Sequence, residues 1–202
     1  EMVKLSENAF RDVNIAYANE LSMICDRFSV DVNELINLAN KHPRVKILSP
    51  GCGVGGHCIA VDPWFLASAE PEITNMIQTA RLVNNNKIEW AFKKIIKTVN
   101  QLQEKNQSQI NIGCLGLSFK PDVDDLRCSP ALQIVNKLID YGYKVFVCEP
   151  NITSHENFNL YDINAVLKSC DVIVALVAHS SFKKIVVSGK EVVNLCGLDL
   201  DI

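Results

Sequence analysis

INIGCLGLSF, residues Ile110 to Phe119, is the stretch at which the hydrophobic period of this chain changes. Before it, apolar residues recur every three or four positions; here they run together and the run closes on glycine. A continuous apolar run bounded by glycine is the pattern of a strand buried on both faces. Downstream, SPALQIVNKLIDYG places Ser129 as N-cap, Pro130 at the first helical position and Gly142 as C-cap. YKVFVCEP then reads as a second buried strand, DINAVLKSC as a helix, DVIVALVAH as a third strand and EVVNLCG as a fourth. Alternating strands and helices predict a parallel sheet with helices on both faces. Such sheets bind ligands at the carboxyl ends of their strands, here Leu117 to Lys120, Glu149 and His179.

Working back from Ile110, QEKNQSQ at about 103 to 109 reads as a polar linker. Ahead of it, apolar residues at 73, 76, 77, 80, 83, 88, 92, 95, 96, 99 and 102 predict one helix of about 30 residues. That helix would be about 45 Å long, too long for a globule this small unless it spans two domains or a dimer interface. The first 28 residues carry another apolar stripe, at 5, 9, 13, 17, 21, 24 and 28, and predict a helix over 2 to 28. Asp31 with Glu34 reads as a capping box opening a short helix stopped near Pro43, and RVKIL as an extended run into the segment that follows. The expected fold is α/β: an all-helical domain over residues 1–108, then a Rossmann-like, doubly wound parallel sheet domain over 109–202.

Composition narrows the function classes. The 202 residues are 48% hydrophobic and 21% charged, with a formal charge of −3 and a pI near 5.8, which leaves no general basic surface for nucleic acid. Eight cysteines lie mostly in apolar runs, without a Cys-x-x-Cys pair, and read as reduced core residues, neither a disulfide framework nor a zinc site. No metal is expected. There is no apolar run of about 18 residues and no basic-then-apolar leader, so no membrane partner is expected and the cytoplasm is the expected compartment. Glu1 opens directly into a helical pattern, and the chain reads as beginning inside a longer protein.

PGCGVGGHCIAVDP, residues 50 to 63, holds four of the nine glycines. Gly51, Gly53 and Gly56 spell G-x-G-x-x-G, but the run before them is short and Pro63 follows too soon for a crossover helix, so a dinucleotide loop is not expected. In the remaining reading the glycines bring the backbone close to a ligand while Cys58 and Asp62, four apart, leave the loop on one face. Cys58 is then either a presented thiol, activated by a cation such as Lys4, or a small buried filler, and the residues leave both open. His57 is expected to orient the loop. Lys4 and Asn8, four apart on the first helix, either point at one spot or form an ordinary solvated surface. Lys120 and Arg127 flank a strand exit, as ligand-binding cations or as part of a charged loop.

Three stretches, KLSENAFRDVNIAYANELSMIC, HPRVKILSPGCGVGGHCIAVDPWFL and GLSFKPDVDDLRCSPA, resemble the second and third domains of the nucleotide-sugar 6-dehydrogenases, the UDP-glucose/GDP-mannose dehydrogenase family. His57 and Val61 are closer to the branch acting on UDP-N-acetyl-D-mannosamine, because the UDP-glucose branch carries serine or tyrosine before the cysteine and lysine before the aspartate. The resemblance implies two successive oxidations of the sugar C6 alcohol by NAD, with Cys58 as the nucleophile. It implies that Lys4 and Asn8 stabilise an oxyanion and that Asp62 assists proton transfer. It further implies that Gly53, Gly55, Gly56, His57 and Lys120 bind the UDP-sugar, that Arg44 reaches a neighbouring subunit's substrate, and that Arg127 touches NAD. The helical domain becomes a central dimerisation domain, the long helix its homodimer core. Where the branch carries proline at 52 and glutamate at 128, this chain has Cys52, expected to loosen the loop, and Cys128. The family's N-terminal NAD-binding domain has no counterpart in these residues, and the 202-residue chain is not expected to turn over alone.

Overall fold

The computed structural model of the chain describes residues 1–201. Four helices come first: α1 (Met2–Phe28), α2 (Val32–Ala39), α3 (Asp62–Ala69) and α4 (Asn75–Asn106). Strands and helices then alternate as β1 (Asn111–Leu115), α5 (Pro130–Asp140), β2 (Lys144–Cys148), α6 (Ile163–Ser169) and β3 (Val172–Ala175), followed by β4 (Ile185–Val186), β5 (Glu191–Asn194) and β6 (Leu200–Asp201). Local signals act much as expected. Asp31 caps α2 by accepting from the Asn33 and Glu34 N–H groups, and Ser129 caps α5 by accepting from Leu132 N–H. Tyr141 is the residue that ends α5; Gly142, expected there, lies one place further in the left-handed region at φ 84°. RVKIL joins no sheet. Two asparagines hold it instead: Asn14 accepts from Leu48 N–H and donates to the Lys46 carbonyl, and Asn40 does both with Ile47.

The main sheet is parallel, in the order β2-β1-β3-β5. The chain leaves β1 to one side for β2 and returns to the other side for β3, so the carboxyl ends of β1 and β3 form a topological switch point. Side chains alternate between two cores. Ile112, Cys114, Val172 and Val174 face α5 and the second half of α4; Leu115, Ile173 and Ala175 face α6. A second, two-stranded parallel pair, β4 with β6, was not expected; two residues per strand are too few to carry a period.

α4 changes character along its length. Its first half buries Arg81, Asn84 and Lys87; its second half buries Ala91, Phe92, Ile95 and Val99 in the core of the sheet. One helix therefore belongs to both halves of the chain, the first of the two reasons its length allowed. The polar half is matched by α1. Arg81 donates to Asp12 at 2.6 Å, Asn84 donates to the same oxygen at 2.8 Å, and Asn19 donates to Asn84 at 2.9 Å.

The apolar stripe of α1 is not its buried face. Of that stripe only Ala9 is buried; Leu5, Val13 and Leu21 are half-buried and Tyr17, Ile24 and Phe28 are 52%, 51% and 74% exposed, while Asp12, Ala16 and Asn19, off the stripe, are buried. Small side chains let two helices approach, and the approach buries polar groups that can be tied across the gap. Cys52 also departs from expectation. It is buried, with its thiol facing the Leu176 carbonyl at 3.7 Å, and it anchors the glycine segment. Of the other cysteines, Cys25, Cys114, Cys148 and Cys170 are buried, Cys58 and Cys196 are half-buried, and Cys128 is exposed, against the expectation of a core residue.

Lys87 is 2% exposed, bonded to the Ser22 hydroxyl at 2.6 Å and lying 3.7 Å from the Trp90 ring centre. Burial first, and Lys94 second, pull its ammonium down to about 7. An unfolded lysine keeps its proton to about pH 10, so between about pH 7 and 10 the unfolded chain binds more protons at this site and stability from it rises with pH. Lys87→Met is therefore expected to melt higher than the parent at pH 7, with the gap closing towards pH 10. Thermal denaturation of both proteins across that range reads it; a gap independent of pH would show that Lys87 does not titrate there.

Candidate active site

The segment from Pro50 to Pro63 crosses the junction between the helices and the sheet. Where it leaves the glycines it turns helically: Asp62 N–H donates to the Cys58 carbonyl at 2.7 Å, and α3 begins at Asp62. Cys58 and Asp62 thus lie one helical turn apart. Asp62 is buried, and α1 delivers two donors to one of its oxygens, Asn8 at 2.7 Å and the Lys4 ammonium at 3.2 Å. The four-residue spacing of Lys4 and Asn8 does aim both at one spot. The bond to Asp62, its charge, and then the Cys58 sulfur raise Lys4 above the usual lysine value. Arg127 is raised in the same way, first by Asp125, to which it donates through both Nε and Nη2, and more weakly by the Cys58 and Cys128 sulfurs. The half-buried Cys58 therefore lies within the fields of two cations and close to the positive end of α3.

The glycines pack against the second half of the chain. A Cβ on Gly55 would lie 2.5 Å from the Cys128 carbonyl oxygen and 2.8 Å from Pro130; one on Gly56, at φ 84°, would lie 2.8 Å from the Phe119 ring. Gly56 N–H donates to the Arg127 carbonyl at 3.0 Å. Close approach was expected towards a ligand; here the backbone of the loop approaches the β1 exit, and Gly53 meets Ile88 and Pro130. Between the two segments lies a cavity of about 460 Å³. Gly51 to Gly55, Ser118 to Pro121 and Leu176 to Ala178 line it, at the carboxyl ends of β1 and β3.

The expected site residues divide into three places. Cys58, Lys4, Asn8 and Asp62 form one cluster. Gly53, Gly55 and Lys120 line the cavity. Arg127 does not line it and lies instead on the Cys58 side, so the two cations of the β1 exit are separated. His57 is exposed, and Arg44 is exposed in the turn after α2. For NAD, the described residues offer the exposed Arg127 and no cradle for a pyrophosphate. The N–H groups of Leu117 and Ser118, where a dinucleotide turn would open, already donate to Glu149, and α5 starts only at Pro130.

Two buried networks carried no expected role. One is Asp12, Arg81, Asn84 and Asn19, which ends on the loop, because Asn19 also accepts from Gly51 N–H at 2.9 Å. Its one signal was polar residues falling between Ala9 and Ala16 on α1. The other is Glu149 with His179, both at strand ends that topology had marked.

The chain matches the central domain of the UDP-glucose/GDP-mannose dehydrogenase family over residues 1–86 and the UDP binding domain of the same family over 113–196. It belongs to that family. Among curated relatives, a UDP-N-acetyl-D-mannosamine dehydrogenase of Campylobacter jejuni is 49% identical over 204 residues, 97% of this chain and 48% of that protein. An NDP-N-acetyl-D-galactosaminuronic acid dehydrogenase of Ralstonia solanacearum is 50% identical over 190 residues, 92% of this chain and 44% of that protein. Among solved structures, a UDP-D-ManNAc dehydrogenase of Pyrococcus horikoshii superposes with a TM-score of 0.81 at 34% identity, covering 96% of this chain and 51% of that one. The chain spans about half the length of the relatives it matches.

The glycine contacts give a contrast between neighbours. Gly55→Ala is expected to destabilise the fold by about 2 kcal/mol, because its Cβ meets a backbone oxygen that cannot move aside. Gly51→Ala, whose Cβ meets nothing closer than 3.7 Å, is expected to change little. Chemical denaturation of both variants checks this, and equal losses would mean the loop does not seat on Cys128 and Pro130.

Proposed function

We propose that this chain carries the catalytic and substrate-binding portion of an NAD-dependent UDP-N-acetyl-D-mannosamine 6-dehydrogenase, oxidising the sugar C6 alcohol in two steps to the carboxylate. One observation carries the reading: Lys4 and Asn8 meet Asp62, 54 positions beyond Asn8, on a single carboxylate one helical turn from the half-buried Cys58. When bound, NAD supplies the hydride acceptor for each oxidation. The chain's own residues do the rest. The Cys58 sulfur forms a bond to the C6 aldehyde carbon, making a thiohemiacetal that keeps the aldehyde on the enzyme. Lys4 and Asn8 donate to the oxygen that gains charge as that bond forms. After the second oxidation has left a thioester, the Asp62 carboxylate takes a proton from the water that opens it, releasing the carboxylate and the thiol. Lys120 and the cavity beside it hold the UDP-sugar, and Arg127, exposed and outside the cavity, is the residue that would contact NAD when it is bound.

The active form on this reading is a homodimer built on the helical domain, residues 1–108, with the Rossmann-like domain, 109–202, outside it. Val3, Phe10, Tyr17 and Ile24 recur every seven residues along α1 and are all exposed, a stripe suited to a second copy, which moves the dimer seam to α1 from the long helix α4, where it was expected. Arg44, exposed in its turn, then reaches the other copy's site. Replacing Phe10 and Tyr17 together by glutamate is expected to yield a folded monomer by light scattering; an unchanged dimer would move the interface elsewhere.

Alkylation of Cys58 tests the chemistry without a hydride acceptor. Iodoacetamide is expected to label Cys58 faster than the exposed Cys128 at pH 7, and more slowly with UDP-N-acetylmannosamine present, and Lys4→Met should slow the basal rate several-fold. Stronger protection by UDP-N-acetylgalactosamine, UDP-N-acetylglucosamine or UDP-glucose would reassign the sugar. An inert, unprotected Cys58 would leave only a dimerising or UDP-sugar-binding chain.

A further inference from the structure

The carboxyl ends of β1, β2 and β3 are knitted together by two buried residues that do not themselves line the cavity but both meet Ser118, which does: Glu149 through the Ser118 N–H and His179 Nε2 at 3.4 Å from the Ser118 hydroxyl. Glu149, just past β2, accepts from Leu117 N–H at 2.7 Å and Ser118 N–H at 3.1 Å through one oxygen, and from Asn151 N–H at 3.0 Å through the other. His179, just past β3 and fully buried, lies 3.0 Å from the same Glu149 oxygen through Nε2. Its other nitrogen, Nδ1, accepts from Asp122 N–H at 2.9 Å and from the Asn151 amide at 3.0 Å. Two donors on Nδ1 leave that atom without a proton, so the ring donates from Nε2 to Glu149. Asp122 closes the loop from its own side, its carboxylate accepting from the Ser180 N–H at 2.8 Å and the Ser180 hydroxyl at 3.0 Å. The backbone of Asp122 is left-handed, at φ 59°, a conformation an aspartate adopts when its surroundings enforce it.

The loop from Leu117 to Asp122 carries Ser118, Phe119, Lys120 and Pro121 to the cavity wall. The Ser118 hydroxyl donates to the Lys120 carbonyl at 2.7 Å, and the Lys120 ammonium lies 5.5 Å from the Phe119 ring centre. The same ring seats Gly56, two residues before Cys58. Burial alone would push the Glu149 carboxyl up, yet the bonds from His179, Leu117 and Asn151 outweigh it and hold it below the usual carboxylate range. A buried anion held this firmly leaves its donors little freedom.

We infer that Glu149 and His179 are positioning residues for the ligand cavity: they lock the 117–122 loop in the shape that presents Lys120 to the ligand and Phe119 to the glycine segment. The inference rests on the reading of the cavity as the nucleotide-sugar site only for its consequence; the lock itself is independent of any ligand.

Three measurements on the 202-residue chain separate these. In the absence of ligand, amide hydrogen exchange at Leu117, Ser118 and Asp122 is expected to be slow in the parent. It should accelerate at least tenfold in both His179→Gln and Glu149→Gln, while the amides of β1 and β3 stay protected. The His179 ring should show the ¹⁵N pattern of a fixed Nε2–H tautomer. With UDP as the probe, Lys120→Ala and His179→Gln are each expected to weaken binding about tenfold, and the double variant to bind no worse than either. Protection unchanged in both variants would overturn the lock, as would an Nδ1–H tautomer. Losses that multiply to about a hundredfold in the double variant would show that His179 does not act through Lys120. A parent chain that binds no UDP while its exchange pattern follows the expectation would instead count against the reading of the cavity and uphold the lock.

Discussion

The whole arrangement depends on one helix being two kinds of surface. For its first half α4 lies against α1 and presents Arg81 and Asn84 to Asp12; for its second half it presents Ala91, Ile95 and Val99 to the sheet. A helix cannot bend sharply between those halves without breaking its own hydrogen bonds, so the orientation of α1 relative to β1 is fixed by rigid geometry. That orientation sets how far the Lys4 end of α1 stands from the loop, and hence whether two donors reach Asp62. The buried pair of Arg81 and Asp12 makes the joint specific at some expense. Asp12 Oδ2 and Arg81 Nε have no partner among the described residues, and burial, opposed by Arg81 and Asn84, raises the Asp12 carboxyl.

The glycine segment is held from three directions at once. Asparagines of α1 fasten its start, through Asn14 to Leu48 and Asn19 to Gly51; Cys52 sinks into the core near Leu176; and Gly55 and Gly56 press on Phe119 and Pro130. Only after these contacts does the chain turn into α3 and present Cys58. The absence of side chains here is a packing requirement of the junction, and the thiol gains its position from that packing. A thiol placed on such a junction is sensitive to the packing of both halves.

Much of this was legible in sequence. The change of period at Ile110, the caps at Asp31 and Ser129, and the four strands followed from local chemistry, because a cap bonds within three residues and a period needs only one element. That Lys4 and Asn8, and Cys58 and Asp62, share a face was legible for the same reason, since spacing of four is a single helical turn, but spacing left open whether Lys4 and Asn8 meet anything there beyond solvent. The burial of α1 was not. Tyr17, Ile24 and Phe28 belong to the apolar stripe that marked the helix and are exposed, yet the helix turns Asp12, Ala16 and Asn19 inwards, because its partner α4 supplies matching polar groups. No property of α1 alone contains that information.

By itself, then, the sequence determined α1, α2, α4 to α6 and the four strands of the main sheet, where the carboxyl edge of that sheet lies, and which family's motifs the chain carries; it did not show α3, β4 or β6. Tertiary structure alone decided that Asp62 is the meeting point of Lys4 and Asn8, that Arg127 stands apart from Lys120, and that Glu149 and His179 close one network. The physical reason is distance along the chain: hydrogen bonds between residues 30 to 70 positions apart depend on how rigid elements dock, and docking is settled by the fit of whole surfaces.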